Sequence, residues 1–110
     1  MSLGDVVKRY GLEAAAEAQA ALGKRWSFLT PEQKVSLERA AMRLVKLEIK
    51  KHRGEDVSED LAFIETTING FQLAAEIGSH SAFVEAFWKG VNRALEALGS
   101  FLTGAGKSLL

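Results

Sequence analysis

The strongest constraint on the fold is a stripe of apolar residues at helical spacing between Phe83 and Leu102. Residues three, four and seven positions apart lie on one side of an α-helix, because each residue turns the helix by about 100°. The positions opposite the stripe are mostly charged or polar, so the spacing predicts an amphipathic helix that buries one side. The stripe consists of Phe83, Val84, Phe87, Trp88, Val91, Ala94, Leu95, Leu98, Phe101 and Leu102.

The clearest helix start surrounds Pro31, the only proline. Thr30 before it can cap the helix, proline is pre-organised for the first helical position, and Gln33 can close a capping box. No segment shows the period-two alternation of a half-buried β-strand. The sequence therefore predicts an all-α protein.

Similar signals divide the chain into about four helices. A second start lies at Asp56, after Gly54 has ended the preceding helix, and a third lies at Ser79 to Ser81. The apolar spacing stays in register on both sides of Asn69 and Gly70, so we expect the third helix to continue through this turn-type dipeptide. The predicted helices cover roughly residues 5–22, 31–53, 57–77 and 81–102 of a single domain over residues 1–103, and a flexible Gly-rich tail follows at 104–110.

The second and third predicted helices carry apolar residues on two sides. One core-facing stripe per helix is enough for a four-helix bundle, and the alanine-rich first helix adds little apolar area. We therefore expect a helical bundle that is completed by oligomerisation, as a homo-oligomer. The predicted oligomer interface consists of Phe63, Leu73, Ile77, Phe83, Phe87, Trp88 and Phe101.

The charges are segregated although the formal net charge is zero. Residues 31–53 contain an excess of cations, and residues 54–85 contain acidic groups and no lysine or arginine. Three interpretations remain open: a nucleic-acid contact, a solvated helix face, or pairing with Glu55, Asp56, Glu59 and Asp60 of the same or a neighbouring chain. The predicted basic face consists of Arg39, Arg43, Lys46 and Lys50.

No motif predicts catalysis, a cofactor or a metal. The chain has no cysteine, which excludes disulfides, a thiolate nucleophile and sulfur-ligated zinc. Residues 104–108 read Gly-Ala-Gly-Lys-Ser, but a phosphate-binding loop needs glycine where this chain has Phe101. His52 and His80 each follow a glutamate by four residues, which is not the Glu-x-x-His spacing of di-iron bundles.

These observations favour a non-catalytic helical interaction or assembly protein that binds itself and another protein. The alternatives are a helical nucleic-acid-binding protein that uses the basic face, and a peripheral membrane protein that uses the amphipathic last helix. The sequence contains neither a signal-peptide pattern nor about 18 consecutive apolar residues. We therefore expect a soluble, cytoplasmic protein.

The first prediction concerns secondary structure. Because the capping signals precede segments of helical periodicity, circular dichroism is expected to show mostly helix. A substantial β-sheet contribution to the spectrum would contradict the all-α prediction.

Overall fold

A computed structural model describes residues 2–110, and every regular element in this range is helical. The all-α prediction is therefore confirmed. The α-helices are α1 Leu3–Leu22, α2 Lys24–Ser27, α3 Pro31–His52, α4 Ser58–Asn69 and α5 His80–Thr103, and short 3₁₀ helices occupy Ala75–Ile77 and Lys107–Leu109.

The predicted capping signals begin the long helices. The backbone N–H of Gln33 donates to Thr30 Oγ1 at 3.1 Å, and the backbone N–H of Thr30 donates to Gln33 Oε1 at 3.0 Å. At the start of α5, Ser79 Oγ accepts a hydrogen bond from the backbone N–H of Ala82 at 3.2 Å. Both starts were predicted, and each bond satisfies a backbone group that a helix end leaves unpaired.

The expectation of a continuous helix over residues 57–77 was wrong. Helix α4 ends at Asn69, and residues 71–74 have no regular structure. Thr66 and Thr67 each donate a side-chain hydrogen bond to the carbonyl four residues earlier, at 2.9 Å, and such bonds compete with a regular helix. The break places Ile77 in a 3₁₀ turn, where its side chain is buried.

The core lies between α1, α3 and α5, and α1 packs most extensively against α5. A Cβ added at Gly90 of α5 would lie 2.8 Å from Ala18 Cα and would also overlap the carbonyl oxygen of Glu17. The backbones therefore cross closely, and the small side chains of Ala14 and Ala18 are buried at this crossing. Phe83 and Phe87, which we assigned to an oligomer interface, are therefore buried within the single chain. The buried residues of α5 are Phe83, Phe87, Gly90, Val91, Ala94, Leu98 and Leu102.

Helix α3 buries both of its apolar sides within one chain. It packs against α1 and also against α4 and α5, so Val45 and Leu44 are both buried. Its two stripes therefore reflect a central position and require no second chain. Val35 is the exception, since 45% of this residue remains exposed.

Residues 104–110, predicted to form a flexible tail, fold back on the end of α5. The backbone N–H of Gly106 donates to the carbonyl of Phe101 at 2.8 Å, and Leu109 packs against the core. The Phe101 ring in turn lies 5.9 Å from the Tyr10 ring, centroid to centroid. The mobility of this tail stays a prediction.

The helix crossing generates the second prediction. Gly90→Ala is expected to lower the free energy of unfolding by about 1 to 3 kcal/mol, because the new methyl group forces the two backbones apart. Gly99→Ala is the matched control within α5, since a Cβ there would lie 3.6 Å from the nearest atoms. The control is expected to be neutral or to stabilise by about 0.5 to 1 kcal/mol through helix propensity. Urea denaturation measures both values, and equal effects would contradict the close crossing.

Candidate interaction surface

The structure places the residues of the predicted interface in three different environments. Ile77, Phe83 and Phe87 are buried within the single chain, so they are not accessible to a partner in this fold. Leu73, Trp88 and Phe101 are partly buried against the core, whereas 61% of Phe63 is exposed. An interface that uses the predicted residues would therefore be centred on Phe63.

The buried positions of the other aromatic residues have physical reasons that the apolar pattern did not reveal. Phe83 and Phe87 are covered within the chain, where the Phe83 ring lies 6.0 Å from the Phe71 ring and α1 packs along α5. Ile77 no longer belongs to the helix that carries Phe63, and its carbonyl accepts a hydrogen bond from Arg25 Nε at 3.2 Å. The apolar stripe of the last helix is thus largely covered within the chain, and Val84, Trp88 and Leu95 remain partly exposed along it.

Phe63 lies beside a cation of the neighbouring helix. Arg43 Cζ is 5.7 Å from the centroid of the Phe63 ring, a cation–π geometry that contributes roughly 0.5 to 1 kcal/mol at an exposed site. A groove of about 150 Å³ between α3 and α4 opens next to this pair, and Arg39 and Thr67 also line it. Arg39 also lines a second hollow, together with Val35.

Helical geometry puts the basic residues of α3 and several residues of α4 on one outward surface. At about 100° per residue, the four predicted cations and Val35 lie within one sector of α3, and all five are exposed. The part of α4 that carries Phe63 lies next to this sector, as the shared groove indicates. We call this surface the α3–α4 face: Val35, Arg39, Arg43, Lys46, Lys50, Asp56, Glu59, Asp60, Phe63 and Thr67.

Among residues 2–110, the cations of the α3–α4 face form no ion pair shorter than 4.0 Å. Within residues 2–110, the ion pairs shorter than 4.0 Å join His52 with Glu48 and Arg93 with Glu17. Pairing between the basic face and the acids of α4 within one chain is thus not observed. Nucleic-acid contact, solvation and pairing with a neighbouring chain remain as interpretations.

The two histidines have different neighbours. His52 Nε2 lies 3.2 Å from Glu48 Oε1, and this pair packs against Gly99 of α5. His80 lies near the Phe71 carbonyl, with Nε2 3.3 Å from the oxygen. Across residues 2–110 there is no group of three or more metal-ligating side chains.

Three further hollows lie outside the α3–α4 face. One, of about 670 Å³, lies between α1 and α5; its floor is alanine and its charged rim includes Arg25, Glu85 and Lys89. A second, of about 230 Å³, lies where α3, α4 and α5 meet, and Leu61 and Trp88 line it. The third, of about 390 Å³, lies between α3 and α5, and its lining includes Ser100. The residues that line the first two do not include a serine, cysteine or histidine.

Comparison of the chain with protein-family models, with curated proteins and with solved structures finds no match. None of the helices between residues 2 and 110 is long and apolar enough to cross a membrane.

The third prediction concerns the start of α4, which presents Phe63. The backbone N–H of Ser58 donates to Asp56 Oδ1 at 3.0 Å, and this hydrogen bond lowers the pKa of the Asp56 carboxyl. Because the folded-state pKa lies below the ordinary value of about 3.9, the charged carboxylate stabilises the fold above that value. This stabilisation is lost as the pH falls through the lowered pKa.

NMR titration of the Asp56 carboxyl and the Ser58 amide is expected to show one shared, lowered midpoint. Asp56→Asn is the control, because its amide oxygen still accepts the bond but does not titrate. A carboxyl midpoint at or above the ordinary value would contradict this cap.

Proposed function

We propose that this chain is a non-catalytic interaction protein that self-associates through the α3–α4 face. The observation that carries the proposal is Phe63, which is 61% exposed while the phenylalanines at the start of α5 are fully buried. A large aromatic residue beside arginines, with charged residues around it, is the composition that protein interfaces favour. Val35 extends the apolar part of this face.

The energetics favour a weak, reversible dimer. Complete burial of one phenylalanine contributes roughly 1.5 to 3 kcal/mol, and a symmetric dimer buries two copies of Phe63. Association costs about 4 kcal/mol or more in lost translational and rotational freedom. The aromatic pair offsets much of this cost but leaves little surplus, so the arginines and the charged residues of the face must supply most of the roughly 8 kcal/mol that a micromolar Kd requires.

Nucleic-acid binding is the second candidate, and the unpaired cations of α3 favour it. Arg39, Arg43, Lys46 and Lys50 are all exposed, and several cations along one helix face suit a phosphate backbone. The exposed acids at the start of α4 lie on the same outward surface and would repel phosphates. Protein association therefore agrees better with the whole face than nucleic-acid binding does.

The fourth prediction tests the central residue of the face. Phe63→Asp is expected to raise the Kd for self-association at least ~100-fold, because each copy loses the burial of a phenylalanine and instead buries a charge. Leu12→Asp is the matched control, since Leu12 is 59% exposed on α1, away from this face. Light scattering measures the mass, and circular dichroism verifies that both variants remain helical.

A wild-type protein that is monomeric at high micromolar concentration would overturn the proposed function. An equal loss of mass in the Leu12 variant would contradict the assignment of the interface to Phe63.

The second candidate, nucleic-acid binding, is tested with a labelled duplex and a labelled single strand, which are expected not to bind at near-physiological salt. Binding that weakens steeply with salt, and that Arg39→Glu with Arg43→Glu abolishes, would favour nucleic-acid binding instead.

A further inference from the structure

The charges of the α3–α4 face form two antiparallel rows. The basic row on α3 consists of Arg39, Arg43, Lys46 and Lys50, and the acidic row at the start of α4 consists of Asp56, Glu59 and Asp60. Arg43 lies against Phe63, and Arg39 lines the same groove as Thr67, so residue numbers rise along α3 as they fall along α4. Both helices rise about 1.5 Å per residue. The same offset therefore brings Lys46 level with Asp60.

Each row is free to pair with charges from outside the chain. Lys46 and Lys50 on one row and Glu59 and Asp60 on the other are exposed. The ion pairs shorter than 4.0 Å among residues 2–110 involve other side chains. The face is thus both basic and acidic, in parallel strips along its two helices.

We infer that a second copy of this chain docks on the α3–α4 face about a two-fold axis that runs along the groove between α3 and α4. This inference rests on the proposed self-association and adds its geometry. Rotation by 180° about such an axis exchanges the two rows and keeps each residue at its level. The basic row of each copy then lies over the acidic row of the other, and Arg43 reaches the partner's Phe63.

Charge complementarity identifies a second copy as the occupant. A two-fold axis makes every contact occur twice, so one row of cations and one row of acids at matching levels are enough to complete the interface. A partner of a single charge sign would be attracted by one row and repelled by the other. The chain therefore carries both halves of its own binding surface.

A charge-swap experiment tests this geometry. One variant combines Lys46→Glu with Lys50→Glu, and the other combines Glu59→Lys with Asp60→Lys. Asp56 stays unchanged because it accepts the hydrogen bond from Ser58 at the start of α4. Each variant alone places like charges opposite each other in both contacts, so its Kd is expected to rise at least tenfold. In an equimolar mixture both contacts join opposite charges, and a one-to-one heterodimer is expected.

Native mass spectrometry identifies the heterodimer by its mass, and light scattering verifies a particle of twice 12.0 kDa. The control combines Lys8→Glu with Lys89→Glu at exposed positions outside the face, which changes the net charge as much as the Lys46 and Lys50 reversals do, and it is expected to dimerise like the wild type. Circular dichroism verifies that each variant folds. For a variant that does not fold, Lys46→Gln with Lys50→Gln, or Glu59→Gln with Asp60→Asn, replaces the reversals.

The wild-type dimer supplies a second measurement, because it is expected to weaken between about 0.1 M and 1 M salt as the Debye length falls from about 10 to 3 Å. Dimers of either reversed variant alone, a mixture that stays monomeric, or a wild-type dimer insensitive to salt would overturn the two-fold geometry while leaving self-association intact. A monomeric wild type would overturn both.

Discussion

The close crossing of α1 and α5 at Gly90 is the contact on which the rest of the packing depends. A glycine on one helix and alanines on the other bring the backbones into contact, so a helix with little apolar area of its own still packs extensively along α5. Helix α3 then packs against both helices and needs two apolar sides. The arrangement leaves α4 on the outside, with Ile64 and Ile68 buried and Phe63 exposed.

The position of α4 explains how a chain without net charge presents a strongly patterned surface. The segment that contains α4 is acidic, and it lies beside the basic side of α3. The opposite charges are neighbours without forming ion pairs shorter than 4.0 Å within residues 2–110. Their proximity reduces the electrostatic repulsion between like charges within each row. The fold can therefore carry both rows without ion pairs between them.

Sequence reasoning predicted the helical class and the main starts, because capping depends on a few adjacent residues such as Thr30 and Gln33. It missed the end of α4, where the apolar spacing and the turn residues gave opposing signals. It also assigned Phe83 and Phe87 to an interface, since a stripe shows which side is apolar but not which element covers it. The Arg43–Phe63 contact could have been predicted from the sequence. The two residues lie about equally far along the chain from the turn near Gly54, and the helices on either side of this turn are antiparallel.

The pairing of α1 with α5 also makes the main contact of the core a long-range one. Ala18 and Gly90 meet although they lie about 70 residues apart in the chain. The chain must therefore close a long loop, at a cost in conformational entropy, to form the main contact of the core. During synthesis, α1 and α3 emerge before α5 exists and expose the apolar sides that it later covers. Chains truncated before α5 would retain that exposure, and such species aggregate readily.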